Sequence, residues 1–246
     1  MNLYIIVEGM RTEPMVYTAW LSLLVPQLKK LDYADKVQTD NYYLFSAGGI
    51  PSIYNHVSNA VADINDINSG GKGRYDYLMV CLDTEENTRA EQERRINEQL
   101  TADKRQLKDA QLVLFEQNIC METWFLGNRN VFKSNPQEEE FVRYINHYNV
   151  RDNDPELMEN IKNSNFATTA QFHCRYLEAM FKERNMRYSK ARPTAVCDKS
   201  YLDQLIKRHE ETKHIPSFGR WLNFITHEIY LAEIHTYRKL TLWTTK

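Results

Sequence analysis

Glu8, Asp83 and Glu85 are the residues of this 246-residue chain whose types and positions invite chemistry. Each follows a short apolar run: Leu3-Tyr4-Ile5-Ile6-Val7 ends at Glu8-Gly9, and residues 75–82 end at Asp83-Thr84-Glu85-Glu86. Such runs predict parallel strands buried on both faces. In an open parallel α/β sheet, ligands gather beyond the carboxyl ends of the strands. Positions i and i+2 of an extended backbone point to the same side, so Asp83 and Glu85 are expected to converge on one ion. Carboxylates brought this close repel one another unless a cation stands between them. An oxygen-only donor set favours Mg2+ or Mn2+. Strand ends also carry Asp and Glu as solvated turn residues or helix caps, a reading that stays open for Glu8 and more so for Glu86.

Four strands are expected to position these residues, over 3–7, 42–45, 75–82 and 112–115, alternating with helices. The first helix follows Glu8-Gly9, with Thr12 as its cap, Glu13 at its positive end and Pro14 in its first turn, and it runs until Pro26. Further helices are expected over 51–65, 88–108 and 119–126. Beyond residue 130 strand patterns fade, and 138–148, 156–163, 168–185, 199–211 and 218–236 read as helices. The expectation is therefore an α/β domain over residues 1–130, a small parallel sheet flanked by helices, followed by a helical region over 131–246.

Composition bounds the function further. With 26% charged and 42% hydrophobic residues, 8 Gly and 7 Pro, the chain belongs to the folded globular class, not the collagen-like or disordered ones. The net charge of −2 conceals an asymmetry. Residues 161–246 hold 15 Lys+Arg against 8 Asp+Glu, a net of +7, and residues 1–160 hold 16 against 25, a net of −9. Opposite halves of this kind fit a polyanion partner, or two ordinary solvated surfaces. Cys81, Cys120, Cys174 and Cys197 are scattered without a Cys-x-x-Cys pair, which reads as reduced thiols in a cytoplasmic protein. No signal peptide is apparent, and no apolar run approaches the roughly 20 residues of a membrane span. Gly70-Gly71-Lys72-Gly73 lacks the Walker spacing and reads as a loop. His173, His209 and His214 do not stand at zinc-ligand spacing. The aromatics Trp221, Phe224, Tyr230, Tyr237 and Trp243 read as core more readily than as a base-stacking surface.

Val7-Glu8-Gly9 after a first strand, Thr12-Glu13-Pro14 opening a helix, and Asp83-x-Glu85 after a later strand together resemble the Toprim fold of RloB-like and OLD-type nucleases of bacterial defence. Where Asp-x-Asp is usual, this chain has Asp-x-Glu. The segment 119–126, with Glu122-Thr123-Trp124, is similar to a downstream Glu-x-Trp patch of those relatives. This resemblance, over roughly residues 3–130, implies a metal-dependent nuclease acting on RNA, including transfer RNA, or on DNA. Glu8, Asp83, Glu85 and Glu122 would hold Mg2+ or Mn2+, with Glu8 as an alternative general acid or base. In OLD-type relatives a lysine beyond the core meets the charge of the transition state. The basic stretch 182–192 offers Lys190 for that role, with Lys199 as second choice, and Arg187, Lys190, Arg192 and Lys199 are the expected substrate-binding residues; a solvated helix end is the plainer reading of that stretch. The resemblance extends to the Toprim effector of PARIS-type antiphage systems, which implies an ABC-type ATPase partner and allows a homodimer. A non-catalytic binding or regulatory subunit that keeps the acidic pocket is the alternative.

Overall fold

The computed structural model describes residues 1–162 and 164–227. Five parallel strands form one sheet: β1 (Leu3–Val7), β2 (Lys29–Leu31), β3 (Asn41–Ser46), β4 (Tyr77–Asp83) and β5 (Gln111–Gln117), in the order β2-β3-β1-β4-β5. The register sets Val7 beside Ser46 on one side and Cys81 on the other. After β1 the chain goes out to the edge strand β2, comes back to lay β3 between β2 and β1, then passes β1 to add β4 and β5. The strand order therefore reverses between β1 and β4, and the crevice beyond their carboxyl ends is the topological switch point, where ligands bind in sheets of this class.

Each strand of the centre is apolar on both sides because both faces are covered. Helices α2 (Ser52–Ser69) and α3 (Arg89–Ala102) cover one face through Ile53, Val57, Val61, Ile64 and Ile96, against Tyr4, Ile6, Leu78, Val80 and Leu82. The opposite face, with Leu3, Ile5, Val7, Met79 and Cys81, carries α1 (Thr12–Leu24) and the helical second half of the chain. That half comprises α4 (Met121–Phe125), α5 (Glu139–His147), α6 (Thr169–Lys182), α7 (Lys199–Thr212) and α8, helical over 216–227. Phe224 meets Tyr77 and Phe115 of the sheet at ring separations of 5.1 Å, so the helical region shares a core with the α/β layer.

Helix α3 starts where Thr88 and Glu91 form a reciprocal capping box: the Thr88 Oγ1 accepts from the Glu91 N–H and the Glu91 carboxylate accepts from the Thr88 N–H. Thr88→Ala should remove about 1 kcal/mol of stability, a fall of roughly 2–4 °C in the melting midpoint read by circular dichroism.

Several expectations are corrected. Strand β2 escaped the sequence reading, since a three-residue edge strand with two lysines has no apolar run. The helix expected over 156–163 is only a 3-10 turn at Pro155–Leu157, because the Glu156 side chain turns inward to bind Ser217; residue 163 lies outside the described residues. The helix expected to reach residue 108 ends at Ala102, where Lys104 takes a positive φ of 53°. Thr12 does not cap α1: Arg11 stands at that position, and the Thr12 hydroxyl donates instead to the Lys190 carbonyl at 2.9 Å. Tyr230, Tyr237, Trp243 and the remainder of the last expected helix lie outside the described residues. No described helix is long and apolar enough to cross a membrane.

Candidate active site at the switch point

Glu8 leaves β1 with its N–H on the Cys81 carbonyl (3.1 Å) and its carbonyl accepting from the Gly49 N–H (3.0 Å). Its Oε2 accepts from the Asp83 N–H at 3.1 Å, so the ends of β1 and β4 are joined by the side chain that sequence reasoning singled out. Gly9 then permits a tight return. Its N–H donates to Glu13 Oε1 at 3.0 Å, and any Cβ at this position would land on the Glu13 carboxylate. Glu13, read from sequence as a helix-dipole residue, is thereby folded back into the crevice and buried.

Asp83 ends β4 with its Oδ1 buried and without a hydrogen-bond partner. Burial pushes its carboxyl well above the usual range, the Glu13, Glu8 and Glu122 charges add to the rise, and Lys190 opposes it. The Glu8 carboxyl is pushed up to about 7, first by burial, against the Asp83 N–H bond, and then by Glu13 and Glu85. Glu13 is raised chiefly by burial, with Glu122 adding to it. These groups thus form one acidic cluster in which each negative charge disfavours the next.

Glu122 comes from α4, which starts immediately after β5. A buried Tyr188 donates its hydroxyl to Glu122 Oε1 at 2.7 Å, and Lys190 Nζ stands 3.6 Å from Oε2. Desolvation works against the Lys190 charge, yet Glu122, Cys120 and Asp83 hold its pKa above the ordinary lysine value. Lys190 lies on a strap that follows α6. Glu183 fastens its start to Lys133 and the N–H groups of Gln137 and Glu138, and Arg184 donates to the carbonyls of Asn130, Val131 and Phe132. Tyr188 packs on Phe125 and Phe181, Thr12 holds the Lys190 carbonyl, and Trp20 Nε1 holds the Val196 carbonyl at 3.0 Å. The strap is therefore stapled across α1 and α4, with its lysine over the carboxylates.

Of the residues expected to act, Glu8, Asp83, Glu122 and Lys190 come together. Glu85 does not follow the extended geometry assumed for it: its φ is +50°, its N–H turns to the Ile119 carbonyl (2.9 Å), and it is exposed, although its charge registers at Glu8. Arg187 and Arg192 lie exposed on the strap. Lys199 faces Asp203 one turn along α7, at 2.7 Å, and not the cluster. Glu13 and Tyr188 are the additions that sequence reasoning missed; the Gly9 that makes room for Glu13 was the available signal. His173 is buried between Thr123 Oγ1 and the Met158 carbonyl, with a pKa lowered to about 4 by burial, and serves the core.

Among the described residues no three His, Cys, Asp or Glu side chains form a ready-made metal cage. The donor chemistry nevertheless suits a hard cation: every acidic group offers oxygen, and Asp83 Oδ1 is an acceptor with nothing to accept. Comparison with protein-family models, curated proteins and solved structures returned no match to this chain.

Proposed function

We propose that this protein is a divalent-metal-dependent nuclease of Toprim type, hydrolysing phosphodiesters of RNA, including transfer RNA, or of DNA, as a toxic effector of antiphage defence. The observation that carries the reading is the partnerless, buried Asp83 oxygen at the switch point, set among Glu8, Glu13 and Glu122 and faced by Lys190. Glu8 and Asp83 would hold Mg2+ or Mn2+, with Glu122 beside them and Glu85 on the adjoining turn. When bound, such an ion supplies Lewis-acid stabilisation of the phosphate and lowers the pKa of water. As the alternative to holding the ion, Glu8, with a pKa about 7, can take up or release a proton near neutrality, as an acid or base catalyst must. Lys190 brings positive charge to the side of the pocket from which a phosphate approaches, and Tyr188 keeps one Glu122 oxygen engaged so that the other is left towards the lysine.

Purified protein with Mg2+ or Mn2+ should cleave labelled RNA or DNA, and Glu8→Ala should not. Control by an ABC-type ATPase belongs to the same reading, and it predicts that adding the ATPase changes the cleavage rate. Absence of cleavage with both metals, with and without the ATPase, would overturn it. The turned backbone at Glu85 favours the second reading, a non-catalytic subunit that keeps the pocket.

Metal binding should also depend on pH in a defined direction. Glu8 is protonated below about pH 7 and must lose that proton to bind a cation. Affinity for Mn2+, read by calorimetry, is expected to rise by up to about tenfold per pH unit below 7 and to flatten above it. Glu8→Gln should bind more weakly and without that slope.

A further inference from the structure

The arginines of this molecule are mostly spoken for. Arg74, Arg89, Arg94, Arg95, Arg129 and Arg151 hold oxygen partners. The same is true of Arg175, Arg184, Arg208 and Arg220, and Arg143 lies over the Tyr144 ring. Among the described residues the exceptions are Arg11, Arg105, Arg187 and Arg192, whose exposed guanidinium groups have no hydrogen bond or ion pair. Arg11 and Arg192 belong to the two segments that meet beside Lys190.

The backbone brings the segments of Arg11 and Arg192 together beside Lys190. Arg11 directly precedes Thr12, whose hydroxyl holds the Lys190 carbonyl at 2.9 Å, so the β1–α1 loop and the strap touch at this point. Beyond that junction the strap makes a turn closed by the Arg192 N–H on the Ser189 carbonyl (2.9 Å), which returns Arg192 next to Lys190. Lys190 itself is directed at Glu122. Its side chain is nevertheless 61% exposed, so Lys190 and the two arginines form one cationic patch at this junction, and Met10, 76% exposed beside Arg11, adds an apolar surface for a sugar or base.

We infer that Arg11, from the loop after β1, and Arg192, from the strap that touches it, form a paired arginine clamp for the phosphodiester backbone of a nucleic acid that enters the acidic crevice. This rests on the nuclease reading for its ligand class but not for its chemistry. A backbone drawn towards four carboxylates is repelled unless cations grip its phosphates, and guanidinium groups suit phosphate oxygens through paired N–H donors. Neither arginine has a partner to lose, so replacing them leaves the fold intact.

The test is fluorescence anisotropy of labelled single-stranded oligonucleotides, RNA in one arm and DNA in the other, in EDTA so that no cleavage intervenes, over a range of KCl. For the wild-type chain log K should fall linearly with log salt. Arg11→Gln and Arg192→Gln should each lower the magnitude of that slope by about 0.7, and the double variant by about 1.4, with weaker binding at each salt. Arg105→Gln is the control, because Arg105 follows α3 on the way back to the amino end of β5, at the far end of the sheet. Unchanged slopes for both single variants, an equal loss in Arg105→Gln, or no binding by the wild type in either arm would overturn the clamp. Retained clamp behaviour without any cleavage in Mg2+ or Mn2+ would instead reject the nuclease and leave the clamp standing.

Discussion

Asp83→Asn should abolish nucleic-acid cleavage, by about a thousandfold or more, and at the same time make the metal-free protein more stable. The two effects share one cause. The Asp83 carboxyl is raised well above its ordinary value by burial and by Glu13, Glu8 and Glu122, so folding opposes its ionisation. A raised folded pKa means that its favourable contribution is complete below the unfolded value near 4 and is lost as pH rises towards the folded value. Asparagine keeps the shape and discards the charge. The gain should be on the order of 1–2 kcal/mol, or roughly 2–8 °C in melting midpoint, larger at pH 8 than at pH 5. Melting curves at the two pH values, with and without Mn2+, together with cleavage assays, check this. Mn2+ should stabilise the wild-type chain and not the variant. A variant that melts lower at pH 8, or cuts within tenfold of wild type, would contradict the assignment of Asp83.

Trp20→Ala should produce the largest loss of stability. The indole is fully buried, lies 6.5 Å from Trp124 at an interplanar angle of 13°, and meets Phe125, Phe218 and Trp221 at 5.8–6.0 Å. Its N–H also holds the Val196 carbonyl at the end of the strap. Removing a buried Trp side chain costs about 3–5 kcal/mol, and the orphaned carbonyl adds about 1 kcal/mol. That is a large share of the 5–15 kcal/mol typical of a folded domain. A fall of roughly 10–20 °C is expected in thermal melts. Trp20→Phe should lose less, because it keeps much of the ring packing. A shift under about 5 °C for Trp20→Ala would show that the aromatic cluster does not bind the helical half to the sheet.

The four longer strands were legible because parallel strands buried on both faces read as continuous apolar runs. The acidic pocket was legible only in part. Glu8 and Asp83 end such runs, so their place beyond the sheet followed from the pattern, and Glu122 and Lys190 followed from the resemblance. Glu85 was misplaced because alternation along an extended chain stops applying once φ turns positive. Glu13 and Tyr188 depend on contacts that no local pattern encodes: a carboxylate folded over Gly9, and a phenol reaching Glu122 from 66 residues away. The helix expected over 156–163 failed for the same reason, since a buried bond from Glu156 to Ser217 outweighed its local preference.

The central place of β1 has a consequence for how the chain matures. The first strand made is flanked by β3 and β4, so the sheet cannot close around it until residue 83 has been synthesised. Its α1 face waits longer, because the core there is completed by Phe218, Trp221 and Ile225. Contacts so distant along the chain delay folding until late in translation. Lys190 and its strap are added in that same last stretch. A ribosome-bound fragment that ends before residue 190 therefore carries the acidic residues without the lysine or the wall that shapes their crevice.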